Sequence, residues 1–240
     1  MKAEERHHLQ TNEFAVRMAW LAEQLATNLN RILTIAGIVL VGGAIIGAYF
    51  YMQKQSADRA SAELGAALTI MQSPIAPAST IPGASQAAGT FPSEAARGEA
   101  AVAALQKVVD AHSSGDTAAA ARYHLASTYM SLGRAADAER MFADAIAKGG
   151  SSIYADVAKL GHVQALAAQQ KYDDAIKTLT DLSAQRDGKL PVDGVLIELA
   201  RVCRKAGKVQ EARAAFKRVV DEFPESGYVG EARQQLATMG

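Results

Sequence analysis

The pattern of hydrophobic and polar positions begins with a long uncharged run, which lies between Arg31 and Lys54. A helix of residues 32–53 would rise roughly 33 Å, close to the hydrocarbon thickness of a bilayer, which is about 30 Å. The aromatic residues 49–51 stand at one end of the run, where amphipathic rings favour the membrane interface. The pattern therefore predicts a transmembrane helix at residues 32–52.

A cleavable signal peptide is the alternative interpretation of this run. Its apolar core would be about 7–15 residues long and would end in a small-x-small cleavage site. Here the run is longer, follows a long polar lead, and is succeeded by Gln53, Lys54 and Gln55. An uncleaved membrane anchor fits these features better.

The distribution of basic residues bears on orientation. Four basic residues precede the run and two follow it within twenty residues: Lys2, Arg6, Arg17 and Arg31 against Lys54 and Arg59. This favours a cytoplasmic N-terminus and, in a bacterium, places the rest of the chain outside the cytoplasmic (inner) membrane. When only twenty residues are counted on each side, the numbers are two and two.

Two further patterns concern the membrane region. Apolar residues of the lead recur at steps of three and four, on one face of a helix: Phe14, Met18, Leu21, Leu25, Leu29 and Ile32. We expect this face to lie on the inner leaflet, with a partner's cytoplasmic loop as the alternative. Within the span, Gly43 and Gly47 have a spacing that lets another helix pack closely, although glycine is common in membrane helices.

The remainder of the chain repeats with a period of 37 residues. Three columns recur in phase: Ala101, Ala138, Ala175 and Ala212; then Leu105, Phe142, Leu179 and Phe216; then Val108, Ala145, Leu182 and Val219. Their offsets of four and three residues place them on one face of a helix. The preceding helix has columns of its own: Leu125, Ala126, Tyr129 and Gly133 in one unit, and Leu199, Ala200, Cys203 and Gly207 in another.

This order of large, small, aromatic and glycine positions resembles the tetratricopeptide repeat (TPR). The small residue lets paired helices approach, and glycine ends the first helix in a left-handed conformation. The third unit departs from the pattern, because its large-small column reads His162-Val163 and a better pair, Leu160-Gly161, stands two residues earlier. The predicted fold class is all-α, with a single N-terminal transmembrane helix followed by an α-solenoid of TPR-like helix pairs.

The same patterns predict the domain boundaries. We expect a cytoplasmic amphipathic lead at 1–31, the transmembrane helix at 32–52, a helix continuing from the span at 53–72, a flexible Pro/Ala/Ser loop at 73–92, and the repeat domain at 93–240. The loop is too poor in large apolar residues to build ordered structure. A C-terminal helix, at about 227–239, is expected to cover the open end of the stack.

The chain lacks a recognisable catalytic constellation. Its histidines have no metal-ligand spacing with one another, with Cys203 or with a carboxylate. Cys203 occupies the repeat position of Tyr129 and is predicted to be a small buried hydrophobe. Formal net charge is zero and no basic stripe is visible, which argues against nucleic acid as a partner. We therefore expect no enzyme activity, no metal and no cofactor, and we expect proteins and the lipid bilayer as partners.

The concave face of a helical-repeat stack, lined by the first helix of each pair, is the expected binding surface. Repeat phase predicts a partner-binding groove with an apolar end and a basic end, formed by Tyr123, Ser127, Met130, Leu160, Gln164, Ile197, Arg201, Arg204 and Lys205. A peptide with a hydrophobic segment and an acidic group would suit such a groove. A solvated face with chance basic residues is the alternative.

The layout of lead, single span, continuing helix and three to four TPR-like units resembles the ancillary SecYEG translocon subunit family (YfgM-type). The lead residues 5–14 also look like the N-terminus of bacterial members of this wider group. The resemblance implies a bacterial inner-membrane protein with a periplasmic repeat domain, associated with the translocon and periplasmic chaperones. One alternative is a scaffold for envelope assembly or cell division, because residues 223–236 also resemble the repeats of Tol–Pal coordinators. Another alternative is an accessory subunit in cytochrome c maturation.

Overall fold

The computed structural model of the chain describes residues 3–76, 87–185 and 188–239, with side chains from Phe14 onward except Leu25 and Ile32. Predictions for the core of the loop and for those side chains fall outside the described residues. The described residues form α-helices and no strand. The helices are α1 (Ala3–Gln72), α2 (Glu94–Ala111), α3 (Asp116–Ser131), α4 (Ala135–Lys148), α5 (Ile153–Ala168), α6 (Tyr172–Ser183), α7 (Val192–Lys205), α8 (Val209–Glu222) and α9 (Val229–Thr238).

The chain divides into two units, residues 1–56 and 57–240. The first unit is the leading part of α1, and its described apolar side chains face solvent: Leu40, for example, is 73% exposed. The segment Ala26–Gln72 contains an 18-residue window with a mean hydropathy of 2.2, none of it buried. By length and composition this segment can cross a membrane. Gly43 and Gly47 have no neighbouring group within 4 Å of the position of a Cβ.

The second unit stacks helices in chain order, as four pairs and a last single helix. The pairs are residues 57–72 of α1 with α2, then α3 with α4, α5 with α6, and α7 with α8, and α9 packs on α8. The three predicted columns of the second helices are buried, with one exception, the half-buried Leu182. These columns are therefore confirmed as the internal face of the repeat.

The first helix of each of the last three pairs ends in the same backbone motif. Gly133 and Gly207 both have φ +74°, and the amide after each donates to the carbonyl five residues earlier, at 2.8 Å in both units. The prediction that these glycines end their helices in a left-handed conformation is confirmed. Gln170 stands at the equivalent position of the third unit with φ +62°. A non-glycine residue in this region costs roughly 1–2 kcal/mol, so this helix end is strained.

The third unit keeps the 37-residue register in spite of its sequence. Val163 is fully buried at the small position, and His162 is half-buried at the large one. Burial lowers the pKa of His162, although the nearby Glu139 acts in the opposite direction. Gly161 has a different role, because a Cβ there would lie 2.4 Å from two ring atoms of Phe142. It lets the Phe142 ring of α4 pack directly on α5.

The two described ends of the predicted loop are tied together by backbone hydrogen bonds. The amide of Ala76 donates to the carbonyl of Phe91 at 2.9 Å, and the amide of Phe91 donates to the carbonyl of Pro74 at 3.0 Å. Arg97 adds a hydrogen bond from Nη1 to the carbonyl of Ser73, at 3.1 Å. The chain therefore leaves the stack and returns to it at one place, between α1 and α2.

Candidate protein-binding surface

Two arginines at the basic end of the predicted groove bond to the chain's own last helix. Arg201 of α7 makes a two-point ion pair with Glu231 of α9, with N–O distances of 2.8 and 2.6 Å. Arg204 donates a hydrogen bond to Gln235 of the same helix. The Arg201 guanidinium holds the pKa of the Glu231 carboxyl below its usual range. Because two-point pairs of this kind are strong and directional, Arg201 is engaged within the chain.

The prediction that Ile197 belongs to the groove is wrong. It is only 2% exposed and packs in the apolar core of the C-terminal half. The assignment from repeat phase was wrong here because α7 is apolar on most of its surface and has helices packed around it. Lys205, at the end of α7, remains exposed.

The apolar end of the predicted groove is divided between two cores. Tyr123 is half-buried, and its ring lies 5.9 Å from that of Phe142 and 5.8 Å from that of Tyr154, between centroids. Met130 packs on the N-terminal core and Leu160 on the C-terminal core. Gln164 is exposed. Met130 and Leu160 therefore lie against different cores, and the role of these residues in binding stays a prediction.

Ser127, the remaining member of the predicted set, lines an open cleft of about 510 Å³. The cleft lies where the end of α1 meets the start of α2 and the end of α3. We call it the α1–α3 cleft. Its lining residues are Met71, Glu94, Ala95, Arg97, Gly98, Ala101, Ser127, Thr128, Ser131 and Leu132.

Short side chains form most of the α1–α3 cleft. Ala95 and Gly98 contribute from α2, and Ser127 and Ser131 contribute from α3. At Gly98 the packing is close, because a Cβ would lie 2.8 Å from Cδ2 of Leu132. With short walls, the backbone of an incoming polypeptide can approach the helices, which longer side chains would prevent.

The polar groups of the α1–α3 cleft can bind a polypeptide backbone. The hydroxyl of Ser127 donates to the carbonyl of Tyr123 in its own helix, at 2.9 Å, which leaves its oxygen able to accept. Arg97 uses Nη1 for the carbonyl of Ser73, and a guanidinium carries further N–H donors. The cleft therefore offers both acceptors and donors beside apolar surface.

Sequence reasoning missed the contribution of the first helix pair to this cleft. The loop at 73–92 interrupts that unit, so Met71, Arg97 and Gly98 were not aligned with the later repeats. One signal was available in the sequence. Gly98 is a glycine inside an alanine-rich helix, where glycine costs about 1 kcal/mol relative to alanine, and the structure shows that Leu132 packs against it.

Two other candidate chemistries can be examined in the structure. Among the side chains that the structure describes, which begin at Phe14, no group of three or more His, Cys, Asp or Glu is placed to hold a metal ion. Cys203 is fully buried, and burial raises the pKa of its thiol. The prediction that Cys203 is a small buried hydrophobe is confirmed.

The stacked helix pairs with left-handed helix ends define a TPR-like helical-repeat protein, a class of protein–protein interaction modules. Residues 24–239 match the family described as "Tetratricopeptide repeat-like domain", and the chain belongs to this family. No curated protein matches the sequence.

Two similar solved structures come from Podosopora anserina, both described as "putative kinesin light chain nearly identical TPR-like repeats", one of them in a form with a single substitution. Each has a TM-score of 0.55 and 18% sequence identity and covers 75% of this chain. The matched parts are 84% and 85% of those two chains. At this identity the likeness shows the TPR-like fold alone.

Proposed function

We propose that this chain is a membrane-anchored interaction protein of the bacterial cell envelope, whose repeat unit binds segments of other proteins and carries no enzyme activity. The proposal rests on two features that occur together in this chain. The described apolar side chains of the first unit are exposed along α1, and the second unit is a TPR-like stack with an open cleft.

The finer proposal concerns location and partners. The chain lies in the cytoplasmic (inner) membrane with its N-terminus in the cytoplasm and its repeats in the periplasm, associated with the protein translocon and periplasmic chaperones. The layout of lead, span and repeats supports this proposal. The open surface at Gly43 and Gly47 supports packing of the span against a partner's membrane helix.

Within the repeat unit, we assign partner binding to the α1–α3 cleft. This moves the proposed contact away from Arg201 and Arg204, which α9 engages, and keeps Ser127. The ligand that fits this cleft is a polypeptide segment. Its backbone would contact the short side chains, and Arg97 would donate a hydrogen bond to one of its acceptor groups.

Filling the α1–α3 cleft is expected to reduce recovery of bound proteins. Ala95 and Ser131 are both exposed, so tryptophan at either position occupies the cleft without entering the core. We expect Ala95→Trp and Ser131→Trp each to lower recovery about tenfold or more, equivalent to about 1.4 kcal/mol of binding. The measurement is quantitative mass spectrometry of proteins co-purified with the tagged chain from cross-linked, gently solubilised membranes.

Ala214→Trp is the matched control, because Ala214 is exposed on α8, away from the cleft. It should leave recovery unchanged. A second chain carrying an unrelated membrane span separates contacts made by the span from those made by the repeats. Equal recovery with all three tryptophan variants would contradict the cleft assignment. Recovery of division or cytochrome c maturation proteins in place of translocon subunits would replace the proposed partners.

A further inference from the structure

The helix α9 is held to the repeat stack by little apolar surface. It has 10 residues, fewer than any other helix in the described part of the chain, and only Val229 and Ala232 of it are buried. The neighbouring α8 buries four residues. Because an element with few buried contacts opens at a lower free energy than the core of a domain, we expect α9 to open before the helices that it covers.

A glycine within α9 weakens this helix further. Gly230 is exposed, nothing lies within 4 Å of the position of a Cβ there, and its backbone is outside the left-handed region. Neither packing nor conformation therefore requires glycine at this position. Glycine lowers the stability of a helix relative to alanine, and a helix as short as α9 does not form alone in water. The helix thus depends on its contacts with the stack.

The polar contacts of α9 specify its position on the stack. Arg201 of α7 pairs with Glu231 at 2.8 and 2.6 Å, and Arg204 donates a hydrogen bond to Gln235. The side chains of Arg201 and Glu231 are 40% and 33% exposed, so water competes for the pair and its contribution to stability is small. The two arginines therefore act mainly in recognising the polar groups of α9.

The surface beneath α9 is apolar and is bordered by these two arginines. Val229 and Ala232 belong to the apolar core of the C-terminal half, and Leu236 and Met239 pack against it. These four residues follow one another at steps of three and four, on one face of α9. We call the surface of α7 and α8 that α9 covers, together with the two arginines, the α9-covered face.

We infer that the α9-covered face is a second docking site, which binds an amphipathic helix of a partner protein in place of α9. The resident helix shows the chemistry that this face accepts: apolar residues at steps of three and four, a carboxylate that pairs with Arg201, and an acceptor four residues later for Arg204. A partner helix that has this pattern without the glycine is more stable as a helix than α9.

The resident helix sets the threshold for such a partner. Because α9 is part of the same chain, it competes at an effective concentration of roughly millimolar order. The face therefore opens only to a helix that binds more tightly than α9 does. The site is separate from the α1–α3 cleft and does not depend on the proposed anchoring.

Binding of a synthetic copy of α9 to the full chain tests the inference. The probe is a fluorescent peptide of residues 225–240, and its binding to the chain in detergent is followed by fluorescence anisotropy. Glu231→Arg in the chain repels the resident helix from Arg201, and we expect it to raise the affinity for the probe about tenfold. Gly230→Ala strengthens the resident helix and should lower the affinity about fivefold.

Two control variants accompany these changes. Ala237→Arg adds a positive charge at an exposed position of the same helix and should leave the affinity for the probe unchanged. Ala95→Trp, which fills the α1–α3 cleft, should also leave it unchanged. Failure of the second docking site and failure of the cleft are therefore read from different variants.

A charge exchange shows whether the probe occupies the α9-covered face itself. A probe that carries Glu231→Arg should lose binding to the Glu231→Arg chain, and a chain with Arg201→Glu should bind that probe. Hydrogen exchange of the parent chain needs no substitution, and the amides of α9 should exchange faster than those of α8. Equal affinity of the parent and Glu231→Arg chains, binding that ignores the charge of the probe, or equal protection of α8 and α9 would each overturn the inference.

Discussion

Replacing Gly161 with alanine is expected to destabilise the repeat unit by about 1–3 kcal/mol, the usual cost of overpacking a core. Alanine is otherwise the better helix former by about 1 kcal/mol. A loss of stability in Gly161→Ala would therefore indicate a steric clash, because helix propensity alone predicts a gain. The reason is the Phe142 ring, which has two atoms 2.4 Å from the position the new methyl group would take. Denaturant unfolding of the full chain in detergent, followed by helical circular dichroism, measures the change.

Two further variants separate this contact from a general effect of glycine. Gly194→Ala in α7 places its methyl group 3.9 Å from the Tyr228 ring, an ordinary contact, and is expected to raise stability. Phe142→Leu, which installs the residue found at this column in Leu105 and Leu179, should recover part of the loss in Gly161→Ala. Equal stability of Gly161→Ala and the parent chain would show that α4 and α5 do not meet at this point.

Arg122→Met is expected to cost about 1.5–3 kcal/mol, the range for losing a hydrogen bond to a charged group. Arg122 is only 2% exposed. Its Nε donates to Asp144 at 2.7 Å, and its Nη2 donates to the carbonyl of Ser113 at 2.9 Å. One side chain thus connects α3, α4 and the turn after α2. Methionine fills similar space but removes the donor to the Ser113 carbonyl and one of the two cations that pair with Asp144. Denaturant unfolding, as for Gly161, gives the difference.

The control for this variant is Arg140→Met. Arg140 is 79% exposed, and exposed pairs contribute little, so the unfolding midpoint should not move.

The two variants should also differ in how their stability depends on pH in the acid range. Burial alone would raise the pKa of Asp144, but hydrogen bonds from Lys148 and Arg122 outweigh it and hold the pKa below its ordinary value. Stability from this carboxylate is therefore present above the unfolded-state pKa, about 4, and is lost as pH falls through the lower folded value. Arg122→Met should weaken this acid dependence, and a midpoint equal to that of the parent would contradict the role of Arg122.

The internal face of the repeat could be predicted from the sequence because it depends on local geometry. A residue such as Ala138 or Phe216 is buried because its helix face points at the neighbouring helix, and the 37-residue period repeats that face. The helix ends at Gly133 and Gly207 could be predicted for the same reason, since the left-handed conformation is a property of one residue.

The binding surface could not be predicted in this way, because exposure depends on where other helices pack. Arg201 has the phase of a concave-face residue, yet Glu231 of α9 engages it. A matched spacing was available in the sequence, with Arg201 and Arg204 on α7 and Glu231 and Gln235 on α9. Only the structure brings the two helices together.

The third unit shows a second limit of pattern reading. Leu160-Gly161 looks like a displaced large-small pair, but Val163 keeps the repeat register in the core. Gly161 is small because of Phe142, a residue of the preceding helix. A pattern within one helix does not reveal a constraint that comes from its neighbour.

We propose that a membrane span anchors the repeat unit on the outer side of the cytoplasmic membrane. Protease digestion of intact bacterial spheroplasts, with one tag at the N-terminus of the full chain and another at its C-terminus, tests it most directly. We expect the protease to remove the C-terminal tag while the N-terminal tag survives on a membrane-bound fragment until the spheroplasts are lysed. Survival of the C-terminal tag in intact spheroplasts would contradict the proposed orientation, and recovery of the chain in the soluble fraction would contradict the membrane anchor.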